Sequence, residues 1–240
     1  MRFHSRFAVG LVCLVIASAA CSSESTAETI PPDAATVLAA SADAMGEVET
    51  VRFGMIHSGA PVYIDPADVV AFKEADGRFA APTSADALLT VAAFGLTVEI
   101  GAVAIDGQTC LSNIITGELE PAPAGYTFDP ATLFDPDLGW RPLLAEGLSE
   151  VEWVGSDEVD GRAAYHLRGL ADQDRVQLIT AGIVRGQDVI LDLWIDQQTA
   201  HVLAAEFDAD YRGEATQWRL TFRDYGKDVT VSAPESCDGG

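Results

Sequence analysis

The residues of this chain that could do chemistry are four cysteines and a thin scatter of histidines, acids and tryptophans. Cys21 has the clearest assignment. Arg2, Arg6 and an apolar run from Phe7 to Ile16 lead into Ala17-Ser18-Ala19-Ala20, and Ser22-Ser23-Glu24-Ser25-Thr26 follow the cysteine. A charged start, a short apolar stretch and small residues before a cleavage point make a secretory signal. The apolar run is well short of the roughly 20 residues that cross a hydrocarbon core. Cysteine directly after that point reads as a lipobox, with Cys21 carrying the lipid after processing. Ser18 stands where such boxes hold Leu or Val, and Ser18-Ala19-Ala20 also suits ordinary signal peptidase, which would leave Cys21 free. On the lipoprotein reading, residues 1–20 are signal peptide and 21–32 a polar, Pro-tipped tether. A single domain, 33–240, then stands on the outer face of the cell membrane, in the cell envelope.

Cys13 leaves with the signal, so the body keeps Cys110 and Cys237. In an oxidising compartment two such residues pair more often than they stay free. A bridge closing so long a loop would contribute roughly 4–5 kcal/mol by loop entropy. The alternative is two unrelated thiols.

Catalytic signatures are missing from the sequence. It holds no Gly-x-Ser-x-Gly elbow, no His-Glu-x-x-His, no Walker loop and no dinucleotide glycine fingerprint. His57, His166 and His201 fall on separate predicted strands without metal-ligand spacing. Asp129 and Asp135 each precede a proline, the pattern of a helix cap rather than a calcium loop. Trp153, Trp194 and Trp218 read as core or wall residues, and Trp140 as the one to edge an opening. Neither catalytic residues, nor metal, nor cofactor is expected.

Charge narrows the partners. The chain carries 37 acidic against 14 basic residues, a net −23. That excludes a nucleic-acid footprint and electrostatic docking on anionic lipid. Membrane attachment must therefore come from the covalent lipid, and a diacylglyceryl group supplies the two chains that stable anchoring needs.

The elements that position these residues are mostly strands. Asp33 caps a helix running to Gly46, with Ala34, Val37, Leu38, Ser41 and Met45 at helical spacing. From Thr50 the period changes to two. Strands are predicted near 51–56, 69–74, 78–81, 87–94, 96–105 and 108–114, with Asp76-Gly77 and Asp106-Gly107 as hairpin turns. Two short helices follow the Asp-Pro pairs, the second carrying Leu138, Leu143 and Leu144 to Gly147. A hairpin across Asp160-Gly161 precedes a third helix over 173–183. Strands then resume at 188–196, 202–208, 216–224 and 228–232. Several strands, such as Leu88–Phe94 and Val189–Ile195, are apolar on both faces.

Read together, certain segments resemble a known family. They are the cysteine and tether, the Val51-Arg52-Phe53 strand, Tyr126-x-Phe128-Asp129-Pro130-Ala131 and Leu133-Phe134-Asp135-Pro136-Asp137-x-Gly139. Val159-Asp160-Gly161, Tyr165-His166-Leu167-Arg168-Gly169, Leu193-Trp194-Ile195-Asp196 and Tyr225-Gly226 complete the order. The chain resembles the LppX/LprAFG-type lipoproteins of mycobacteria and their actinobacterial relatives, and Cys110 with Cys237 stands outside that pattern. The resemblance implies a mainly β (α+β) fold: a curved half-barrel antiparallel sheet with helices on its concave face, similar to the LolA/LolB carriers. It implies a hydrophobic cavity that takes an acylated lipid or lipoglycan and carries it across the envelope, with an envelope transporter as a further partner. The strand residues expected to line that cavity are Phe53, Met55, Leu89, Val91, Val98, Ile100, Leu191 and Leu193. On the helix side they are Leu133, Phe134, Leu143, Leu144, Val176, Ile179 and Ile183. The alternative is an envelope scaffold lipoprotein with a filled core.

Overall fold

Alternation of apolar and polar residues, the mark of a strand with one wet face, resolves into twelve strands in the computed structural model of the protein. The structure describes residues 32–65, 67–122 and 130–232. The first seven strands are β1 (Thr50–Gly59), β2 (Val62–Tyr63), β3 (Val70–Ala80), β4 (Ser84–Ala93), β5 (Leu96–Ile105), β6 (Gln108–Ser112) and β7 (Leu119–Pro121). After two short helical segments come β8 (Leu148–Val159), β9 (Arg162–Ala171), β10 (Val189–Asp196), β11 (Val202–Tyr211) and β12 (Glu214–Arg223). They form one open, curved antiparallel sheet in the order β7-β6-β5-β4-β3-β1-β12-β11-β10-β9-β8, with β2 paired to β3. Two meanders are thus joined at one seam, where β1 meets β12.

Register carries the sidedness. One row of directly opposed residues runs Trp153, Leu167, Leu193, Ala205, Leu220, Met55, Ala75, Leu89, Ile100, apolar across nine strands. The next row runs Glu152, Arg168, Asp192, Glu206, Arg219, Ile56, Glu74, Thr90, Glu99. Because side chains alternate with period two, the first row faces the core and the second faces water. On the wet face Arg168 holds Asp192 through two bonds of 3.0 Å. Arg223 reaches Asp76 at 2.6 Å, and Arg219 pairs with Glu206 and Arg78 with Asp86. Such exposed pairs are screened by water and add little to stability. The long outer strand β8 is guarded by register shifts after Ser149 and Trp153 and by Glu150, Glu152, Asp157 and Glu158.

Among the described residues three α-helices and a 3-10 turn accompany the sheet. Helix α1 (Ala34–Gly46) starts where the Asp33 carboxylate accepts the Thr36 N–H at 3.3 Å, and it buries Val37, Leu38, Ser41, Ala42 and Met45. Residues Pro130–Phe134 form the 3-10 turn, and α2 (Trp140–Glu146) and α3 (Gln173–Ile179) follow. The Asp172 carboxylate caps α3, accepting from Asp174 and Arg175 at 2.9 and 3.0 Å.

Five features differ from the sequence-based expectation. Asp76-Gly77 is not a turn but the middle of β3, and the chain reverses instead at Ala81–Thr83, through a cis Ala81–Pro82 bond. Gly77 lies opposite Phe53; a β-carbon there would run into the Phe53 ring and sit 2.6 Å from the Asp86 carbonyl oxygen. The glycine makes room for an aromatic ring rather than for a reversal. Helix α2 begins at Trp140, not Pro136, because the Asp135 carboxylate accepts from Asp137 and Leu138 (2.8 and 3.0 Å) and closes a separate turn that leaves Leu138 exposed. Helix α3 stops at Ile179, since Ala181 and Gly182 take positive φ, so Ile183 lies beyond it. Residues 228–232 form no strand: β12 already has β1 and β11 on its two sides. Two strands go beyond the expectation: β2, paired to β3, and β7, which extends the first meander. The Asp129 cap lies outside the described residues.

Gly77→Ala is expected to destabilise the fold by about 1–3 kcal/mol through overpacking. The urea midpoint should drop at unchanged slope, and Phe53→Leu in the same chain should recover part of the loss.

Candidate functional site: the apolar layer between sheet and helices

The fifteen side chains expected to line a cavity all lie in one apolar cluster. Thirteen are buried, and Val98 and Ile183 are half-buried and packed against the rest. Val176 and Ile179 come from α3, Leu143 and Leu144 from α2, and Leu133 and Phe134 from the 3-10 turn. The strand members come from β1, β4, β5 and β10, always from the core-facing positions.

Phe134 is the hub on the seam side. Its ring stacks on Phe79 at 4.8 Å, lies 5.8 Å from Phe53 and meets Phe222 edge-on at 5.8 Å, while Trp140 meets Phe222 edge-on at 5.1 Å. Aromatic pairs in such geometries add about 0.5–1.5 kcal/mol each beyond area burial. Trp140 does not edge an opening; it is the first residue of α2 and 1% exposed. Sequence reasoning left Phe79, Leu167 and Phe222 out of the site. Phe222 and Leu167 are the cross-strand neighbours of Phe53 and Leu193, and Phe79 faces Val51, one inward step before Phe53, so extending the period-two pattern along and across the strands would have found them.

Polar groups in or near this layer are few. Among the described residues the buried Ser41 Oγ and Trp140 Nε1 have no hydrogen-bond partner. Cys110 is buried on β6 and is disulfide-bonded; Cys237 lies outside the described residues. No cluster of three or more metal-ligating side chains occurs among the described residues, and none of the described helices is long and apolar enough to cross a membrane. Elsewhere, an open groove of about 930 Å³ is lined by Ile56, His57, Phe72, Lys73, Ala92 and Phe94, among others.

The sequence motifs that stood out serve the architecture around this layer. Leu193 and Ile195 point inward, whereas Trp194 stacks on His166 at 4.4 Å and donates to Asp157 at 3.1 Å. Asp196 is a buried carboxylate that turns the chain into β11. Burial alone would raise its pKa, but the Thr199 and Gln198 N–H groups, the Thr199 hydroxyl and the Arg162 guanidinium hold it below the ordinary carboxylate value. The Tyr225 hydroxyl donates to the Val202 carbonyl at 2.6 Å, and the Gly226 N–H to Thr50 at 3.0 Å.

His57 lies tilted against Trp218 at 4.8 Å, and His201, in the loop before β11 rather than on a strand, stacks on Tyr225 at 4.1 Å. Burial lowers both histidines below 6.5, and the nearby Arg162 lowers His201 further.

The LppX_LprAFG lipoprotein family model matches residues 33–231. The lipoarabinomannan carrier protein LprG of Mycobacterium tuberculosis is 26% identical over 160 residues, covering 64% of this chain and 64% of that protein. That alignment spans a little under two thirds of the relative's length. LprG of Mycobacteroides abscessus is 24% identical over 235 residues, covering 98% of this chain and 99% of that one. The crystal structure of LprF from Mycobacterium bovis superposes with a TM-score of 0.65 at 18% identity, over 86% of this chain and 98% of that one. For LppX from Mycobacterium tuberculosis the TM-score is 0.59 at 13% identity, over 83% and 98%. At those identities the likeness to the solved structures is one of fold.

Phe134→Ala is expected to cost about 3–5 kcal/mol, and Phe134→Leu much less, read as urea midpoints. The histidines give a pH dependence of definite sign. Their folded pKa values lie below the unfolded value, so stability is complete above about pH 6.5 and declines as pH falls through the lowered folded values. Urea midpoints should fall between about pH 7.5 and about pH 5, and His201→Gln should flatten that slope.

Proposed function

Because the chain belongs to the LppX_LprAFG lipoprotein family, we propose that it is a non-enzymatic lipid carrier that accepts an acylated lipid or lipoglycan between sheet and helices. The family match over residues 33–231 carries this reading. The continuous apolar cluster of β1, β4, β5, β10 and the helices supports it, with the fifteen residues named above as the lining. Such a layer would replace water around acyl chains at about 0.8 kcal/mol per methylene. The unmet hydrogen-bonding capacity of Ser41 and Trp140 would suit a carbonyl or hydroxyl of the cargo.

In this proposal residues 1–20 are removed as a signal, Cys21 carries the anchor, and 21–32 tether a single domain, 33–240, to the outer face of the cytoplasmic membrane. Cys110 pairs with Cys237, tying the C-terminal tail to β6. An envelope transporter hands over or receives the cargo. A second reading, an envelope scaffold with a filled core, draws on the aromatic packing of Phe134 against Phe53, Phe79 and Phe222.

Uptake of a fluorescent fatty acid separates the two. The carrier should take up the probe saturably, and diacyl lipid should displace it. Val98→Trp or Ile183→Trp, by excluding two methylenes' worth of room, should weaken uptake about tenfold or more. Protein that carries no lipid by native mass spectrometry when taken from its own membranes, and that refuses added probe, would be the scaffold.

A further inference from the structure

Four hairpins of this sheet turn on two residues, a left-handed first position followed by glycine. They are Asp106-Gly107 (φ 50°, 78°), Asp160-Gly161 (50°, 78°), Arg212-Gly213 (57°, 86°) and Phe94-Gly95 (53°, 79°). Such turns favour Asn, Asp or Gly at the first position. Asp106 and Asp160 follow that preference; Arg212 is held by Asp68 through bonds of 2.7 and 2.8 Å. Phe94 has neither excuse. A phenylalanine in that backbone conformation costs on the order of 1 kcal/mol, and the ring is 83% exposed beside Leu96 at 66%. Among the described residues nothing packs on the tip to recover this cost: a β-carbon at Gly95 would meet no atom within 4 Å.

A second apolar turn lies at the same end of the sheet. β6 runs antiparallel to β5, and the Ala102–Leu111 register sets the turn after β6 level with Val98 and Glu99, roughly 13 Å behind Phe94 along the strands. The Asn113 carboxamide accepts the Ile115 and Thr116 N–H groups at 2.9 and 3.3 Å, and the Gly117 N–H bonds the Asn113 carbonyl at 2.8 Å. This braced turn leaves Ile114 half-exposed and Ile115 94% exposed. In a chain of net charge −23, neither Ala92–Val98 nor Cys110–Gly117 contains a charged residue.

We propose that Phe94 and Leu96 form a membrane-contact tip, inserting past the headgroups of a bilayer with Ile114 and Ile115 against the headgroup layer behind them, and holding this end of the sheet on the lipid surface. Two observations select a bilayer as the occupant. Four side chains on two narrow turns fall far below the roughly 800 Å² per partner of a stable protein interface. Behind Leu96 the exposed Lys73 ammonium bonds the Thr97 hydroxyl at 3.2 Å, at the depth where lipid phosphates would lie, with Glu74 and Glu99 further back. With the anchor on Cys21, the eleven-residue span to Pro32 reaches at most about 40 Å, which keeps the body within reach of the surface. The contact is independent of any cargo between sheet and helices.

The test is a depth measurement on the full chain bound to phosphatidylcholine vesicles. Phe94→Trp should add emission that brominated acyl chains quench by half or more. Asp160→Trp, at the far end of the strands, should add emission that they leave unchanged. Equal, absent quenching at both positions would overturn the proposal. So would a blue shift of the Phe94→Trp emission that needs only protein concentration and no vesicles, which would assign the tip to a second copy. In the Cys21→Ser chain, Phe94→Ser with Leu96→Ser should weaken vesicle binding at least fivefold at unchanged Tm; undiminished binding would also overturn it. Loss of fatty-acid uptake with quenching intact would remove the carrier reading and leave this one standing.

Discussion

The structure depends on β1 lying between β3 and β12 in one register. Phe53 faces Phe222 on one side and Gly77 on the other, and Met55 faces Leu220 and Ala75. This strand alone joins the N-terminal meander to the C-terminal one, pairing Arg52 with Arg223 across most of the chain. A slip of one residue would send Arg52, Gly54 and Ile56 into the core and the aromatic set into water. The chain-closure entropy of so distant a pairing has to be met before its contacts stabilise anything. The aromatic cluster around Phe134 is the compensating enthalpy and burial, concentrated at the seam that needs it.

From that seam follow both properties that matter for function. The inward rows make a broad apolar layer beneath the helices, and the outward rows make an acidic face cross-linked by arginines. Strong negative charge keeps the exterior solvated and repels anionic surfaces. Contact with lipid is then confined to places where charge is missing. The inward layer is one such place and the two bare turns beside β5 are another.

Much of this was legible in the chain. Period-two alternation marked the strands, the Asp33 cap marked the start of α1, and Asp106-Gly107 and Asp160-Gly161 turned where their chemistry required. Thirteen of the fifteen proposed lining residues are buried in the core cluster and Val98 and Ile183 pack against it; for the strand members the reason is that a half-buried strand writes its buried face into every second residue. The same dipeptide chemistry failed at Asp76-Gly77, where the deciding fact was a phenylalanine ring from a strand more than twenty residues earlier. Trp140 likewise looked like a rim residue, but it is buried edge-on against Phe222 of a strand far along the chain.

By itself, then, the sequence determined the local periods, most caps and turns, the charge of the exterior and which face of each strand is apolar, since these depend on neighbours a few residues apart. Strand order, the seam between β1 and β12, the use of Gly77 as space rather than as a turn, and the gathering of Phe94, Leu96, Ile114 and Ile115 at one end were decided only by the tertiary structure. Those outcomes rest on contacts between residues far apart in the chain, whose energies no local pattern records.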